Sequence, residues 1–242
     1  MSREKKLPLQ TARSIIKEIG KRKNDTILLD HCLRLKQVLS AVNQNKLDHD
    51  HKDRLKRLVQ LLDHVRIEDI SLGGVSHNFL TKLIECFPPN LARKFKGVIT
   101  LDRFHISQLE HCRNGESGEE SERFAIINLA TRAQLDAGRV GHFVLFINMR
   151  NTYYYVDPLA NPCPRTILDQ IRQMNRHVLT NNCKIQSAYS VFCGLYCISF
   201  ILFLMFDRHS LLVLQNFFID EDKDGQNEYR AFSYIMRCVA RF

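Results

Sequence analysis

The sequence predicts an α+β protein, in which strands and helices follow a helical, basic arm. Up to about residue 66 apolar residues recur at helical steps, and from about residue 67 short β-branched and aromatic runs alternate with helical stripes. The most apolar stretch, Leu195 to Phe206 (LYCISFILFLMF), is 12 residues long. A membrane-spanning helix needs about 20, so a buried core helix is expected instead.

The arm, residues 1–66, reads as helices because Leu28, Leu29, Cys32, Leu35, Val38, Leu39 and Val42 share one stripe, as do Leu55, Leu58, Val59, Leu62 and Val65. It holds 16 Lys or Arg against 8 Asp or Glu, whereas residues 67–242 hold 19 against 18. Most of the net charge of +9 therefore belongs to the arm. An ordinary solvated helical face explains that charge as well as a nucleic-acid contact does.

Residues 67–242 are expected to form the second unit. A helix is predicted around Phe79 to Phe87, closed by Pro88 and Pro89. Runs at Phe95 to Thr100, Phe124 to Leu129, His142 to Asn148 and Tyr153 to Val156 read as strands. The acidic, Gly- and Ser-bearing stretch His111 to Glu122 reads as a surface loop. A helix is predicted from Pro164 to Val178, with Ile167, Leu168, Ile171, Met174 and Val178 on one stripe. Further helices are expected over Cys193 to Phe206, Leu211 to Phe218 and Glu228 to Val239.

Composition narrows the classes. With 242 residues, 45% hydrophobic content, 10 Gly and 6 Pro, the chain can build a packed core, which excludes a disordered tail, a collagen and a small disulfide scaffold. Its 8 Cys form no CxxC pair and the opening MSREKKLPLQTARS lacks the apolar stretch of a secretory signal, so a reducing, intracellular setting is expected.

Four polar residues stand where a cysteine hydrolase would need them. His142 heads the strand GHFVLFI and Asp157 ends the next strand, YYYVDP, so a short hairpin between them would set imidazole beside carboxylate. Cys193 lies where a polar segment gives way to the apolar helix. A thiol there faces unpaired amides and the positive end of the helix dipole, both of which favour thiolate. Its own amide, with the Gln186 side chain seven positions earlier, can donate to an oxygen that turns negative on attack. Taken singly, each residue has a plainer explanation: a small core thiol, as for Cys197, a satisfied core histidine, a turn aspartate before Pro158, a surface amide.

FKGVITLDRF (Phe95 to Phe104), FAIINLATR (Phe124 to Arg132), GHFVLFI, the strand ending in Asp157-Pro158, and QSAYSVFCGLYC (Gln186 to Cys197) together resemble the adenovirus-type cysteine endopeptidases. The resemblance covers roughly residues 75 to 206 and extends to adenain relatives in large DNA viruses and virus-like transposons. It implies a papain-like core that ubiquitin-like-protein proteases share, with a central helix opening at the nucleophile against a sheet that carries the histidine and the acid. Cys193 would be the nucleophile, His142 its base, Asp157 the acidic partner and Gln186 the oxyanion donor. The implied substrates are viral precursor proteins cut beside glycine or other small residues.

The chain departs from that family in places. Phe143 follows the histidine where a Trp is usual, and the chain has no Trp. Cys183 lies too near Gln186 to be the family's peptide-linked cysteine, and the arm has no counterpart in adenain. No cofactor is expected and no membrane partner; DNA is a candidate partner of the arm, and oligomeric state is left open. The localisation implied is host nucleus or cytoplasm, and the virion. Two other functions stay open: deconjugation of ubiquitin-like proteins, and non-enzymatic nucleic-acid binding. Asp220 to Gly225 imitates the start of a calcium loop but has Ala231 at the twelfth position, so a solvated turn is expected. His49 and His51, flanked by Asp48, Asp50 and Asp53, are expected to lie in a polar interhelical loop.

Overall fold

Strands that are apolar at successive positions need cover on both faces, and the two most apolar strand runs, Phe124–Asn128 and Phe143–Met149, lie inside the sheet rather than at its edges. The computed structural model describes residue 56 and residues 77–85, 87–110, 122–139, 141–149, 152–186, 192–207, 210–218, 227, 230, 231, 234, 235 and 238. The expected helices of the arm, the His49–His51 pair, the Asp220–Gly225 turn and most of the His111–Glu122 loop lie outside these residues.

Five strands are joined in sequence order: β1 (Phe95–Thr100), β2 (Arg123–Asn128), β3 (Phe143–Met149), β4 (Thr152–Val156) and β5 (His177–Thr180). The β1–β2 and β4–β5 pairs are parallel, and β2–β3 and β3–β4 are antiparallel. Residues alternate across the sheet. Phe124, Ile126, Phe143, Leu145, Ile147 and Val156 enter one core, while Ala125, Ile127, Val144, Phe146, Tyr153 and Tyr155 enter the other.

The first core is closed by α1 (His77–Glu85), whose Phe79, Leu80, Leu83 and Ile84 form its buried stripe, and by α5 (Cys193–Ile201), buried at all nine positions. That burial explains why the apolar run has no polar face: the helix is surrounded. The run does not stay α-helical to Phe206. Leu202–Phe206 widen into a π turn, in which the Asp207 amide donates to the Leu202 carbonyl at 2.9 Å. Beyond it lies α6 (Leu211–Phe217), capped by the Ser210 hydroxyl. Ala231, Tyr234, Ile235 and Cys238, at helical spacing, bury against the same core.

The second core is covered by a 3₁₀ turn (Ile106–Leu109) and by α4 (Arg165–Gln173), which presents Ile167 and Ile171. Here one expectation is corrected. The helix predicted to reach Val178 stops at Gln173, because Asn175 takes a left-handed conformation (φ 51°) that turns the chain. Val178 then belongs to β5, paired with Tyr153. Two short helices were not expected, α2 (Pro89–Ala92) and α3 (Arg132–Asp136); α3 buries no residue and so leaves no apolar stripe to read. Among the described residues no helix is long and apolar enough to cross a membrane.

Candidate active site

His142 precedes the first residue of β3, and its carbonyl accepts the Leu129 amide at 2.8 Å, which extends the β2–β3 ladder by one step. Asp157 follows the last residue of β4. The antiparallel β3–β4 pair, with Leu145 opposite Val156, returns the chain so that His142 Nε2 donates to Asp157 Oδ1 at 2.7 Å.

Asp157 is completely buried, so its carboxylate must be satisfied by protein donors. Oδ1 also accepts the Leu159 amide at 2.7 Å, and Oδ2 accepts the Tyr155 hydroxyl at 3.2 Å and Asn161 Nδ2 at 3.1 Å. A tight turn aims the two later donors: the Ala160 amide bonds the Asp157 carbonyl at 2.9 Å, with Ala160 in the left-handed region (φ 56°) that a non-glycine residue enters only at a cost. With Nε2 committed to the carboxylate, Nδ1 is the ring nitrogen left to serve the Cys193 sulfur.

Burial alone would lower the pKa of His142. Hydrogen bonds to Asp157 and Cys193, and the negative charge of both, outweigh it and push the pKa up to about 9. The imidazolium is thus the favoured form at neutral pH.

Cys193 is the first residue of α5, and Phe192 before it is still outside the helical region (φ −97°, ψ 26°). The Phe143 amide points at its Sγ from 3.3 Å. An N–H aimed at sulfur makes the sulfur the acceptor, which suits a thiolate better than a thiol. The helix start adds its dipole to the same effect.

No family model and no curated protein matches the chain by sequence. Among solved structures it is similar to the ASFV pS273R protease, with 13% identity and a TM-score of 0.42 over 96% of this chain and 90% of that one. It is likewise similar to the SUMO protease Ulp1, in a form whose catalytic cysteine is oxidised to a sulfinic acid, with 15% identity and a TM-score of 0.41 over 90% of this chain and 97% of that one.

Gln186 joins the site from the backbone. The Pro158 carbonyl accepts the amides of Ile185 and Gln186, at 3.0 and 2.9 Å, which ties this segment to the residue after Asp157. The Gln186 side chain is buried. Residues 187–191, between it and Phe192, lie outside those described.

The groups that hold Asp157 were not read from the sequence. Asn181, the residue after β5, is buried and acts as a strand partner made of one side chain. Its Oδ1 accepts the Asp157 amide at 2.8 Å, and its Nδ2 donates to the carbonyls of Asp157 at 2.7 Å and Cys183 at 3.1 Å. Tyr155 and Asn161 hold the carboxylate itself. An Asx-Pro turn would have pointed to Asn161, but only strand pairing discloses Asn181. No group of three or more His, Cys, Asp or Glu that could hold a metal occurs among the described residues.

Proposed function

We propose that the chain is a cysteine endopeptidase of the adenain-like kind that cleaves viral or virus-like precursor proteins beside glycine or other small residues. One observation carries the chemistry: an imidazole bonded to a buried carboxylate at 2.7 Å, with the sulfur that opens a helix near enough to favour the ring's charged form. The precursor substrate and the small-residue preference rest on the sequence resemblance.

Sulfur attack on the scissile carbonyl forms a C–S bond and moves the C=O electron pair onto oxygen. The Cys193 amide, which the helix does not need for its own ladder, and the Gln186 side chain would donate to that oxygen. His142, already an imidazolium, gives its proton to the departing amine as the C–N bond breaks. The neutral ring then takes a proton from water, which attacks the thioester and releases the acid and Cys193. Asp157 keeps the ring in one tautomer throughout.

The test is cleavage of glycine-containing precursor peptides by the purified chain. Activity blocked by a thiol alkylator and absent from Cys193→Ala is the expected result, and cleavage retained by that variant overturns the assignment. A parallel panel of ubiquitin-like conjugates separates endoproteolysis from deconjugation. The same proposal gives residues 1–66 a DNA-binding role in host cell and virion. Deletion of that arm should abolish salt-sensitive DNA affinity.

A further inference from the structure

A polar cluster stands behind His142 that the reaction above does not use. His77, the first residue of α1, places its Nε2 3.0 Å from Asn128 Nδ2. Asn128 is the last residue of β2 and is buried; its Oδ1 accepts the Ala130 amide at 3.0 Å. With that oxygen committed to an N–H, the amide turns its NH₂ toward the imidazole, and His77 Nε2 must accept. His77 is therefore neutral, with its proton on Nδ1. Burial, and then the Arg132 guanidinium, lower its pKa and favour the same form.

This pair grips the chain on both sides of His142. On one side the Asn128 carboxamide fills the space a side chain at position 141 would need: a Cβ on Gly141 would lie 1.8 Å from Asn128 Oδ1 and 2.6 Å from Nδ2. Only glycine fits there. On the other side the His77 ring meets the Phe143 ring edge-on, with centroids 5.2 Å apart and planes at 61°. Phe143 is the residue whose amide reaches the Cys193 sulfur.

We propose that His77 and Asn128 are positioning residues that fix the backbone at Gly141 and Phe143, and so set the His142 ring and the Phe143 amide against the Cys193 sulfur. The proposal rests on the assignment of Cys193 and His142 made above. Neither residue touches a reacting atom; both act through the two neighbours of the base.

The test is the rate at which iodoacetamide alkylates Cys193 in the full chain as a function of pH, followed by mass spectrometry of the peptide that carries it, with thermal unfolding measured alongside. The wild-type protein should be alkylated faster at pH 6 than His142→Gln, whose sulfur has no imidazolium beside it. His77→Ala and Asn128→Ala should lose most of that advantage, about tenfold in rate at pH 6. His77→Gln, whose Oε1 can accept from Asn128, should regain most of it. Alanine variants that melt earlier yet keep the wild-type alkylation profile would reduce the pair to packing and overturn the proposal, and so would a His77→Gln no better than His77→Ala. A wild-type Cys193 alkylated no faster at pH 6 than that of His142→Gln would overturn the Cys193–His142 assignment itself, and this proposal with it.

Discussion

Cys193 and Cys197 stand four positions apart on α5, the first at its opening and the second a turn inside. Cys197 is wholly enclosed by the apolar core, and burial drives its thiol well above the usual range. Cys193 occupies the turn where the helix opens, with the Phe143 amide at its sulfur and His142 beside it. Both residues count as buried, so exposure does not separate them. The difference lies in where on the helix each sits, at its opening or one turn inside, and in what meets it there. A thiol becomes a nucleophile through neighbours that prefer its anion.

The largest effect should come from exchanging the two sites as targets. Cys193→Ala is expected to lower kcat by about 10⁶-fold, as removal of a nucleophile does elsewhere. Cys197→Ala should leave kcat/KM within about twofold while costing roughly 1–2 kcal/mol of stability through the cavity it opens. Kinetics on the pair, with denaturant unfolding, checks both. Equal loss of activity in the two variants would dissolve the distinction.

Next in size is Asp157→Asn. The amide keeps the shape but presents an N–H where the ring also donates, so His142 loses its tautomer and its imidazolium loses its partner. A fall of about 10³–10⁴ in kcat, with KM nearly unchanged, is expected. Asn181→Ala acts one step further out. It removes three hydrogen bonds that hold the backbone of Asp157 and Cys183, and a displaced carboxylate should lower kcat by about 10²-fold. Unchanged kcat in a destabilised Asn181→Ala would show that β4 alone fixes the acid.

These residues also mark how far the sequence could be read. The β3–β4 hairpin was legible because its apolar alternation and short turn specify one register, and that register brings His142 to Asp157. Cys193 was legible because polarity changes abruptly at the start of an apolar run. Val178 was misplaced because it satisfies two periods at once: the helical stripe from Ile171 and the strand partner of Tyr153. The left-handed turn at Asn175 decides between them, and asparagine tolerates that conformation without demanding it. Asn181 was invisible for a related reason. Its function depends on Thr180 pairing with Tyr155, a long-range register that no local pattern encodes. The same holds for His77, joined to Asn128 across 51 positions.

The smallest expected effect is on stability, and its sign follows from His142. Folding raises the pKa of this group from an ordinary value near 6.5 to about 9, so the folded state binds its proton more tightly than the unfolded chain does. That contribution is fully present below about pH 6.5 and is lost as pH rises through about 9. Thermal unfolding followed from pH 6 to pH 10 should therefore show Tm falling across this window in the wild-type protein. In His142→Gln the fall should be shallower, since no proton is left to lose there. Cys197→Ala should keep the wild-type slope at a lower Tm up to about pH 8.5 and fall less steeply above it, because there the unfolded thiol ionises and the folded one does not. Parallel curves for wild type and His142→Gln would mean that the imidazolium is not held by Asp157 and Cys193, and the contrast between Cys193 and Cys197 would then rest on burial and the Phe143 amide alone.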